Sequence, residues 1–283
     1  MLAIITDSTC DIREEEIKSL NVKRVPLYVN FDGELYKDWL EISPKELIKR
    51  VSEGDEIPGT SQPTPIDFGN AYKEAVAEGA TEILVLTISS LLSGTFQSAN
   101  LATEGIEVPV TVFDSKAASL GLGAMVKKAV RMRDAGESLE KIIASLEKLK
   151  ESNYLIFTVK NLDFLQKNGR IGGAAAMLGG LLNIKPLLGV VAGKVDSLGR
   201  ARGEKKAFKE IVKRIKQYRD SHQGKMFISF LHIQKPEAAD NLRQAVLDAG
   251  IDFEDQGSYE IGTVIACHVG PGVYGAYMNI DQD

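Results

Sequence analysis

The chain has 283 residues, of which 44% are hydrophobic and 26% are charged. This length allows one large or two medium domains, and the composition is ordinary for a soluble globular protein. A net charge of −5 excludes a molecule built as a whole to bind a nucleic-acid backbone. The opening segment MLAIITDSTCD lacks the basic region of a signal peptide, so we expect a cytoplasmic protein with reduced cysteines. A disulfide between Cys10 and Cys267 stays open.

Strand-like and helix-like segments alternate in the first half of the chain. Strands are predicted at 2–7, 22–36, 82–88 and 108–114, and helices at 43–54, 64–80, from about 93, and at 116–135. Alternation of this kind favours a parallel sheet with helices on both faces. We therefore predict an N-terminal three-layer α/β/α domain over residues 1–150.

The second half has strand pairs joined by short turns. Strands are predicted at 153–159 and 226–233, hairpins at 185–203 and 261–280, and helices at 138–152, 162–169, 175–182, 204–222 and 236–249. Hairpins and helices together predict a C-terminal α/β domain with a mixed sheet over residues 151–283.

Familiar nucleotide and metal motifs are absent or out of context. The GPGVYG segment matches the dinucleotide-binding spacing, but too little chain follows it for a crossover helix. The three histidines have no metal-ligand spacing, so no metal site is predicted. Two strands end in Asp-Ser, at IITDS and VFDS, where Asp7 and Asp114 are expected to cap the following turn.

Three segments are rich in hydroxyls and turn residues: GTSQPTP, SSLLSGTFQSA and HVGPGVYG. In the first, Thr60 and Ser61 are predicted on an extended loop before a helix. In the second, Ser93 and Gly94 open a helix, whose unpaired N–H groups suit a carboxylate or a phosphate. In the third, His268 precedes a turn at a strand end, where α/β proteins place ligands. Plain helix capping by each serine is the alternative.

Two further segments have unusual composition. The apolar run AAAMLGGLLNIKPLL could line a tube or belong to the core; its larger residues are Met177, Leu178, Leu181, Leu182 and Ile184. Residues 194–225 hold eleven Lys or Arg and four acids, a local balance of +7. This strip is either a solvated helix face or a docking surface for an acidic partner.

Six of these segments, taken in order, resemble the DegV family of bacterial fatty-acid-binding proteins. They are ITDSTCDI, GTSQPTP, SSLLSGTFQSA, VFDSKAASLGLG, LDFLQKNGRIGG with LLNIKPLL, and HVGPGVYG. The matches span nearly the whole chain. Phe96 stands where the family usually has Tyr, and Ile12 where it usually has Leu.

The resemblance implies two α/β domains with a long-chain fatty acid buried between them. It also implies a non-catalytic binding subunit, without a cofactor, of a fatty acid kinase. A separate ATP-binding subunit would phosphorylate the bound acid to an acyl phosphate for phospholipid synthesis. No nucleic acid and no stable membrane insertion are implied, whereas transient membrane contact is allowed.

The family's site residues carry over by motif. The resemblance implies that Thr60 and Ser93 bind the carboxylate, with Ser61 and Gly94 adjacent. It implies that His268 and Arg202 surround the carboxylate and face the kinase, with Arg170 near the same opening. Two alternatives stay open: a serine hydrolase that uses His268 with Asp7 or Asp114, and a binder of another anionic small molecule.

Overall fold

The computed structural model describes residues 1–178 and 183–281, which form two compact units. The first unit comprises Met1–Ser43, Pro58–Glu151 and Gly262–Val264. The second comprises Pro44–Ile57, Ser152–Ile261 and Ile265–Asp283. A lipid site between two domains stays a prediction.

The elements of the first part of the chain follow the predicted alternation. They are β1 (Leu2–Asp7), α1 (Glu14–Ser19), β2 (Val22–Val25), β3 (Tyr28–Phe31), β4 (Glu34–Lys37), α2 (Pro44–Glu53), β5 (Gly59–Ser61), α3 (Pro65–Ala77), β6 (Glu82–Thr87), α4 (Thr95–Leu101), β7 (Val110–Asp114), α5 (Leu120–Asp134) and α6 (Leu139–Ser152). A short 3-10 turn, Ser8–Cys10, follows β1.

The remaining elements belong mainly to the second unit. They are β8 (Tyr154–Thr158), α7 (Asp163–Lys167), the 3-10 helix Gly172–Met177, β9 (Ile184–Val191), β10 (Lys194–Arg202), α8 (Glu204–Ser221), β11 (Lys225–His232), α9 (Pro236–Asp248), β12 (Glu254–Glu260), α10 (Thr263–Val269) and β13 (Tyr274–Asp281).

The sheet of the first unit is parallel, with strand order β2-β1-β6-β7. Successive side chains of a strand point to opposite faces. Ile5 and Val85 pack with α3 and α4 on one face through Phe68 and Tyr72. The other face receives α5, whose Met125 is fully buried. This arrangement confirms the predicted three-layer α/β/α class, because a parallel sheet must be covered on both sides.

The sheet of the second unit is mixed, as predicted, with strand order β10-β9-β8-β13-β11-β12. Only β11 and β12 pair in parallel, and the other neighbours are antiparallel. Helices α8 and α9 cover one face with an apolar cluster that includes Ile211, Leu242 and Phe230.

The predicted hairpin over 261–280 is wrong. Its first arm is helix α10, and the true neighbours of β11 are β13 and the unpredicted strand β12. The segment TVIACHV is rich in β-branched residues, which favour strands, but distant side chains bind the N–H groups at its start. Strand β12 has the polar sequence EDQGSYE and was missed because it lacks apolar alternation.

The chain also forms a small third sheet besides the two main sheets. The antiparallel sheet β4-β3-β5 places Thr60 opposite Val29 and Ser61 opposite Tyr28.

Among the described residues, no helix has the length and apolar character needed to cross a membrane. Cys10 and Cys267 are both buried thiols.

Candidate functional site

The loop after β6 is held at the carboxyl ends of its two neighbouring strands. The N–H of Ile88 donates to Asp7 Oδ2 over 2.7 Å, and the N–H of Ser90 donates to Asp114 Oδ1 over 3.1 Å. Asp7 also accepts from the N–H of Thr9 at the start of the 3-10 turn, and Asp114 accepts from the N–H of Lys116. Both aspartates therefore cap the turn that follows their strand, as predicted, and both also fix the hydroxyl-rich loop.

Most hydroxyls of this loop are used internally. Thr87, Ser89 and Thr95 are fully buried. Ser90 Oγ accepts a hydrogen bond of 2.9 Å from Lys116 Nζ, which also pairs with Asp114 at 2.7 Å. The loop itself, ISSLLSG, contains no Lys or Arg, but Lys116 reaches it from the segment after β7.

Ser93 is the loop hydroxyl that combines partial exposure with an adaptable partner. Its Oγ lies 2.8 Å from Thr95 Oγ1, and either hydroxyl can donate. If Thr95 donates, the Ser93 proton is free to bind a carboxylate oxygen, and the pair can reverse when the ligand leaves. Two adjacent hydroxyls thus offer an acidic ligand a donor without a fixed positive charge.

Gly94 brings the two hydroxyl segments of the first unit together. It is the N-cap of α4, which begins at Thr95, two residues after the predicted start at Ser93. A Cβ at Gly94 would lie 2.0 Å from Oε1 of Gln62, whose Nε2 donates to Ser98 Oγ over 2.9 Å. The missing side chain is therefore what allows the GTSQPTP segment to pack against α4.

Thr60 and Ser61 lie on β5, immediately before Gln62. Both are half-buried, and both stand in the antiparallel pairing with β3. The predicted extended loop is thus a short strand. Thr60, Ser61, Ser93 and Gly94 all belong to the first unit.

His268 lies near the end of α10 in the second unit. The Asn168 amide donates to the carbonyl of Cys267 over 2.9 Å, which joins the LDFLQKNG segment to this helix. At Gly270, where φ is +73°, a Cβ would approach the ring of Phe164 to 2.7 Å. The third hydroxyl-and-turn segment is therefore packed against α7 and the residues after it.

His268 is held in its neutral form. Burial, and secondly the positive charge of Arg170, lower the pKa of its imidazole to about 4. Arg170 itself is exposed, and its Nη1 donates to the Asn168 carbonyl over 2.8 Å. A neutral imidazole can accept or donate one hydrogen bond without forming an ion pair.

The candidate tunnel residues that the structure describes are not in the core. Met177 and Ile184 are half-buried, and Leu178 is 40% exposed. Met177 Sδ accepts a hydrogen bond of 3.2 Å from Ser197 Oγ. Leu181 and Leu182 lie outside the described residues. The alternative that this run belongs to the core holds at its fully buried members Ala174, Leu187 and Leu188, but it does not hold at Met177, Leu178 and Ile184.

Besides Asp7, two buried carboxylates, Asp11 and Asp38, accept hydrogen bonds from the start of α10, and sequence reasoning missed both. Asp38 Oδ1 accepts from the N–H groups of Thr263 and Val264 at 3.0 and 3.2 Å, and Asp11 Oδ1 accepts from the N–H of Gly262 at 3.0 Å. Burial raises the pKa of Asp38 and of Asp7 to about 6, and raises the pKa of Asp11 well above its ordinary value. The only signal in the sequence was the ITDSTCDI motif itself.

Arg202 lies exposed at the end of β10, beside the basic helix α8. The described residues contain no group of three or more His, Cys, Asp or Glu that could hold a metal ion.

Comparison with known proteins gives consistent matches over the whole chain. The DegV family model matches residues 1–279. A DegV domain-containing protein of Deinococcus radiodurans is 44% identical over 277 residues, which cover 98% of each chain. The structure of a fatty-acid-binding DegV family protein from Thermus thermophilus has a TM-score of 0.94 at 45% identity, covering 99% of each chain. A stearic acid-binding protein from Eubacterium ventriosum has a TM-score of 0.91 at 28% identity, covering 99% of this chain and 98% of the other.

Proposed function

This chain belongs to the DegV family, and from that premise we propose that it binds a long-chain fatty acid and presents the carboxylate to a separate ATP-dependent kinase subunit. The proposal that the ligand is a fatty acid rests on the full-length structural similarity to the fatty-acid-binding protein of Thermus thermophilus. In this proposal the chain is a cytoplasmic binding subunit without a cofactor, and the kinase subunit forms the acyl phosphate for phospholipid synthesis.

The carboxylate is received by Thr60, Ser61, Ser93, the Gly94 N–H and His268. The hydroxyl pair of Ser93 and Thr95 supports this role, because it can donate to an anion and recover an internal bond afterwards. The neutral state of His268 supports it too, because an ion pair would hold the carboxylate too firmly for reaction at its oxygen.

The tail supplies most of the affinity. Burying a C16 chain gains roughly 10–12 kcal/mol at about 0.8 kcal/mol per methylene group. Met177, Leu178 and Ile184, together with Leu181 and Leu182, are the proposed lining. The partial exposure of the described members supports this role, because large apolar residues left outside the core need a cover.

The kinase-facing surface includes Arg170 and Arg202. Both are exposed, and Arg202 belongs to the basic strip 194–225. Such a surface favours an acidic partner and shields the negative charge of an approaching nucleotide.

Native mass spectrometry of the protein after bacterial expression tests the lipid proposal. We expect a co-purified long-chain acid, which exchanges for added palmitate after delipidation. A protein that carries no fatty acid and binds none after delipidation would falsify the proposal.

A serine hydrolase is less well supported. In the described part of the chain, the hydrogen-bond partner of the Ser93 hydroxyl is Thr95, which is not a general base. Asp7 and Asp114 are both engaged by backbone N–H groups. This alternative would be supported if the protein hydrolysed an ester substrate and the variant Ser93→Ala did not.

A further inference from the structure

A basic groove lies at one edge of the six-stranded sheet in the second unit. It has a volume of about 390 Å³ and lies between strand β10 and helix α8. The lining residues are Arg200, Ala201, Arg202, Lys206, Lys209, Glu210 and Lys213. Five of these seven residues are cationic, so the groove has a strongly positive potential.

Most of this positive charge has no acidic partner. Glu210 is the single acid of the groove, and it already lies 3.4 Å from Arg214 and 3.8 Å from Lys213. Within residues 1–178 and 183–281, no ion pair involves Arg200, Arg202, Lys206 or Lys209. All four side chains are exposed. An anionic ligand would therefore meet cations that do not first have to break an internal bond.

The groove runs along the backbone of an outermost strand. Strand β10 pairs with β9 on one side and has no strand on its other side among the described residues. The groove touches three consecutive residues, Arg200, Ala201 and Arg202, although successive side chains point to opposite faces of a sheet. A groove that contacts all three must follow the free edge of the strand, where backbone N–H and C=O groups are open.

Only the second half of β10 is open in this way. The 3-10 helix Gly172–Met177 packs on the first half, because a Cβ at Gly172 would lie 2.0 Å from the carbonyl oxygen of Val195. The pairing with β9 shifts register between Ser197 and Gly199, and the groove begins after this shift. The fold thus covers one half of the edge and surrounds the other half with cations.

We propose that this groove docks an acidic, extended segment of a partner protein, which adds as a short strand to β10. Main-chain hydrogen bonds would form at Arg200 and Arg202, because Gly203 bonds to Asn183 on the β9 side and the alternation of an antiparallel pair turns the main-chain groups of Ala201 toward β9 and those of Arg200 and Arg202 outward. Asp or Glu side chains would pair with the side chains of Arg200, Arg202 and the lysines of α8. The inference rests on the proposed function in one respect: the segment belongs to the kinase subunit. Cations on an edge strand also prevent aggregation, but that role needs no groove and no second row of lysines on a helix.

The test is an NMR titration at low ionic strength with a capped synthetic peptide, Ac-ETETETE-NH2, and a version of it with N-methylated backbone amides. We expect the backbone amides of Arg200, Ala201 and Arg202 to shift with the first peptide. The N-methylated peptide has the same charge but cannot donate, so it should bind roughly tenfold more weakly, the effect of two lost hydrogen bonds.

A matched pair of variants separates the groove from general charge. The double variant Lys206→Gln/Lys209→Gln should weaken peptide binding by about three- to tenfold at low salt. The double variant Lys205→Gln/Lys216→Gln removes the same charge from exposed positions of α8 outside the groove, and it should leave binding unchanged.

Three results would overturn the proposal. Equal binding of the two peptides excludes strand pairing, and equal weakening by the two double variants excludes the groove. Absence of amide shifts with the peptide, together with shifts caused by vesicles of phosphatidylglycerol, assigns the cations to a lipid surface. Bound fatty acid is measured by native mass spectrometry in the same samples. Its presence with a failed titration refutes only this inference, and its absence refutes the proposed function.

Discussion

Ser93 differs from Ser90, in the same loop, in its hydrogen-bond partners. Ser90 is held by Lys116, whereas the partners of Ser93 Oγ among the described residues are the hydroxyl and the N–H of its neighbour Thr95. A ligand carboxylate can therefore replace an internal bond at Ser93 at little cost, but not at Ser90.

Replacing Ser93 or Thr60 by Ala should weaken fatty-acid binding by about 1–3 kcal/mol each, or roughly 5- to 150-fold, because a buried carboxylate loses a donor. Isothermal titration with palmitate measures this change, and circular dichroism checks that the fold is retained. Ser90→Ala is the control and should bind normally. Unchanged affinity in both Ser93→Ala and Thr60→Ala would refute the carboxylate assignment.

Gly94 gives a second prediction at the scale of one residue. In Gly94→Ala the new methyl group displaces the Gln62 side chain and breaks its bond to Ser98, which should cost about 0.5–1.5 kcal/mol of unfolding free energy. The cost should be smaller when Gln62→Ala is already present. Urea unfolding of the four proteins of this cycle measures the coupling. Additive effects would show that Gly94 and Gln62 do not interact as described.

His268 should stay neutral throughout the physiological pH range. Burial and Arg170 depress its pKa to about 4, so its contribution to stability is fully present above pH 6.5 and is lost as pH falls through 4. Ring NMR signals followed from pH 8 to 3.5 measure this directly. Arg170→Gln removes one of the two causes and should raise the pKa. A midpoint near 6.5 in the unmutated protein would contradict the assignment.

At the scale of elements, helix α10 depends on carboxylates that lie far away in the sequence. The start of a helix leaves N–H groups without partners. Asp38 and Asp11 accept three of these N–H groups from positions 225 and 251 residues earlier. No local pattern in the segment TVIACHV carries this information, which is why sequence reasoning predicted a strand there.

Asp38 should make stability depend on pH in the direction opposite to His268. Its pKa is raised by burial to about 6, so its contribution is fully present below pH 3.8 and is lost as pH rises through 6. The variant Asp38→Asn cannot ionise at this position, so it should not lose stability in this way. Its unfolding free energy should therefore rise relative to that of the unmutated protein between pH 4 and 7. Chemical denaturation at several pH values measures that difference.

The control for this prediction is Asp38→Ala. It leaves the N–H groups of Thr263 and Val264 and the hydroxyl of Ser8 without their acceptor, so it should destabilise the protein at every pH, by about 1–3 kcal/mol for each orphaned group. A difference between Asp38→Asn and the unmutated protein that does not change with pH would show that Asp38 does not titrate in this range.

Elements with clear periodicity were predictable, and those formed by distant pairing were not. The apolar runs of β1 and β6 predicted a buried parallel sheet because their central positions, Ile4 and Ile5 in β1 and 83–86 in β6, are all apolar. Strand β5 has only three residues and exists through its pairing with β3. At the candidate site, the motif order proposes Thr60 and Ser93, which stay predictions, whereas the contacts of Gln62 and Lys116 depend on how the segments pack.

At the scale of the whole molecule, charge is separated within an acidic chain. The net charge is −5, yet residues 194–225 carry +7. A surface of this sign on an otherwise acidic protein orients the approach of an acidic partner and repels basic ones.

Arg202→Ala should therefore reduce acyl-phosphate formation with a kinase subunit by about tenfold, while palmitate affinity stays within roughly twofold, because the residue acts on docking. A coupled assay with both subunits measures the first quantity, and titration measures the second. Lys216→Ala, an exposed cation of α8 outside the groove, is the control. Normal acyl-phosphate formation in Arg202→Ala would count against the docking surface.

The hydrogen bonds from Gly262–Val264 to Asp11 and Asp38 also determine when, during synthesis of the chain, the first unit can complete its folding. A ribosome that adds about 5–20 residues per second delivers the N–H groups roughly ten to forty seconds after Asp38. Until then Asp38 and Asp11 of the nascent first unit can accept from the hydroxyls of Ser8 and Ser119 but lack three N–H donors, although the strands of this unit have already been made. The hydrogen bonding of the first unit is therefore complete only when residue 264 leaves the exit tunnel.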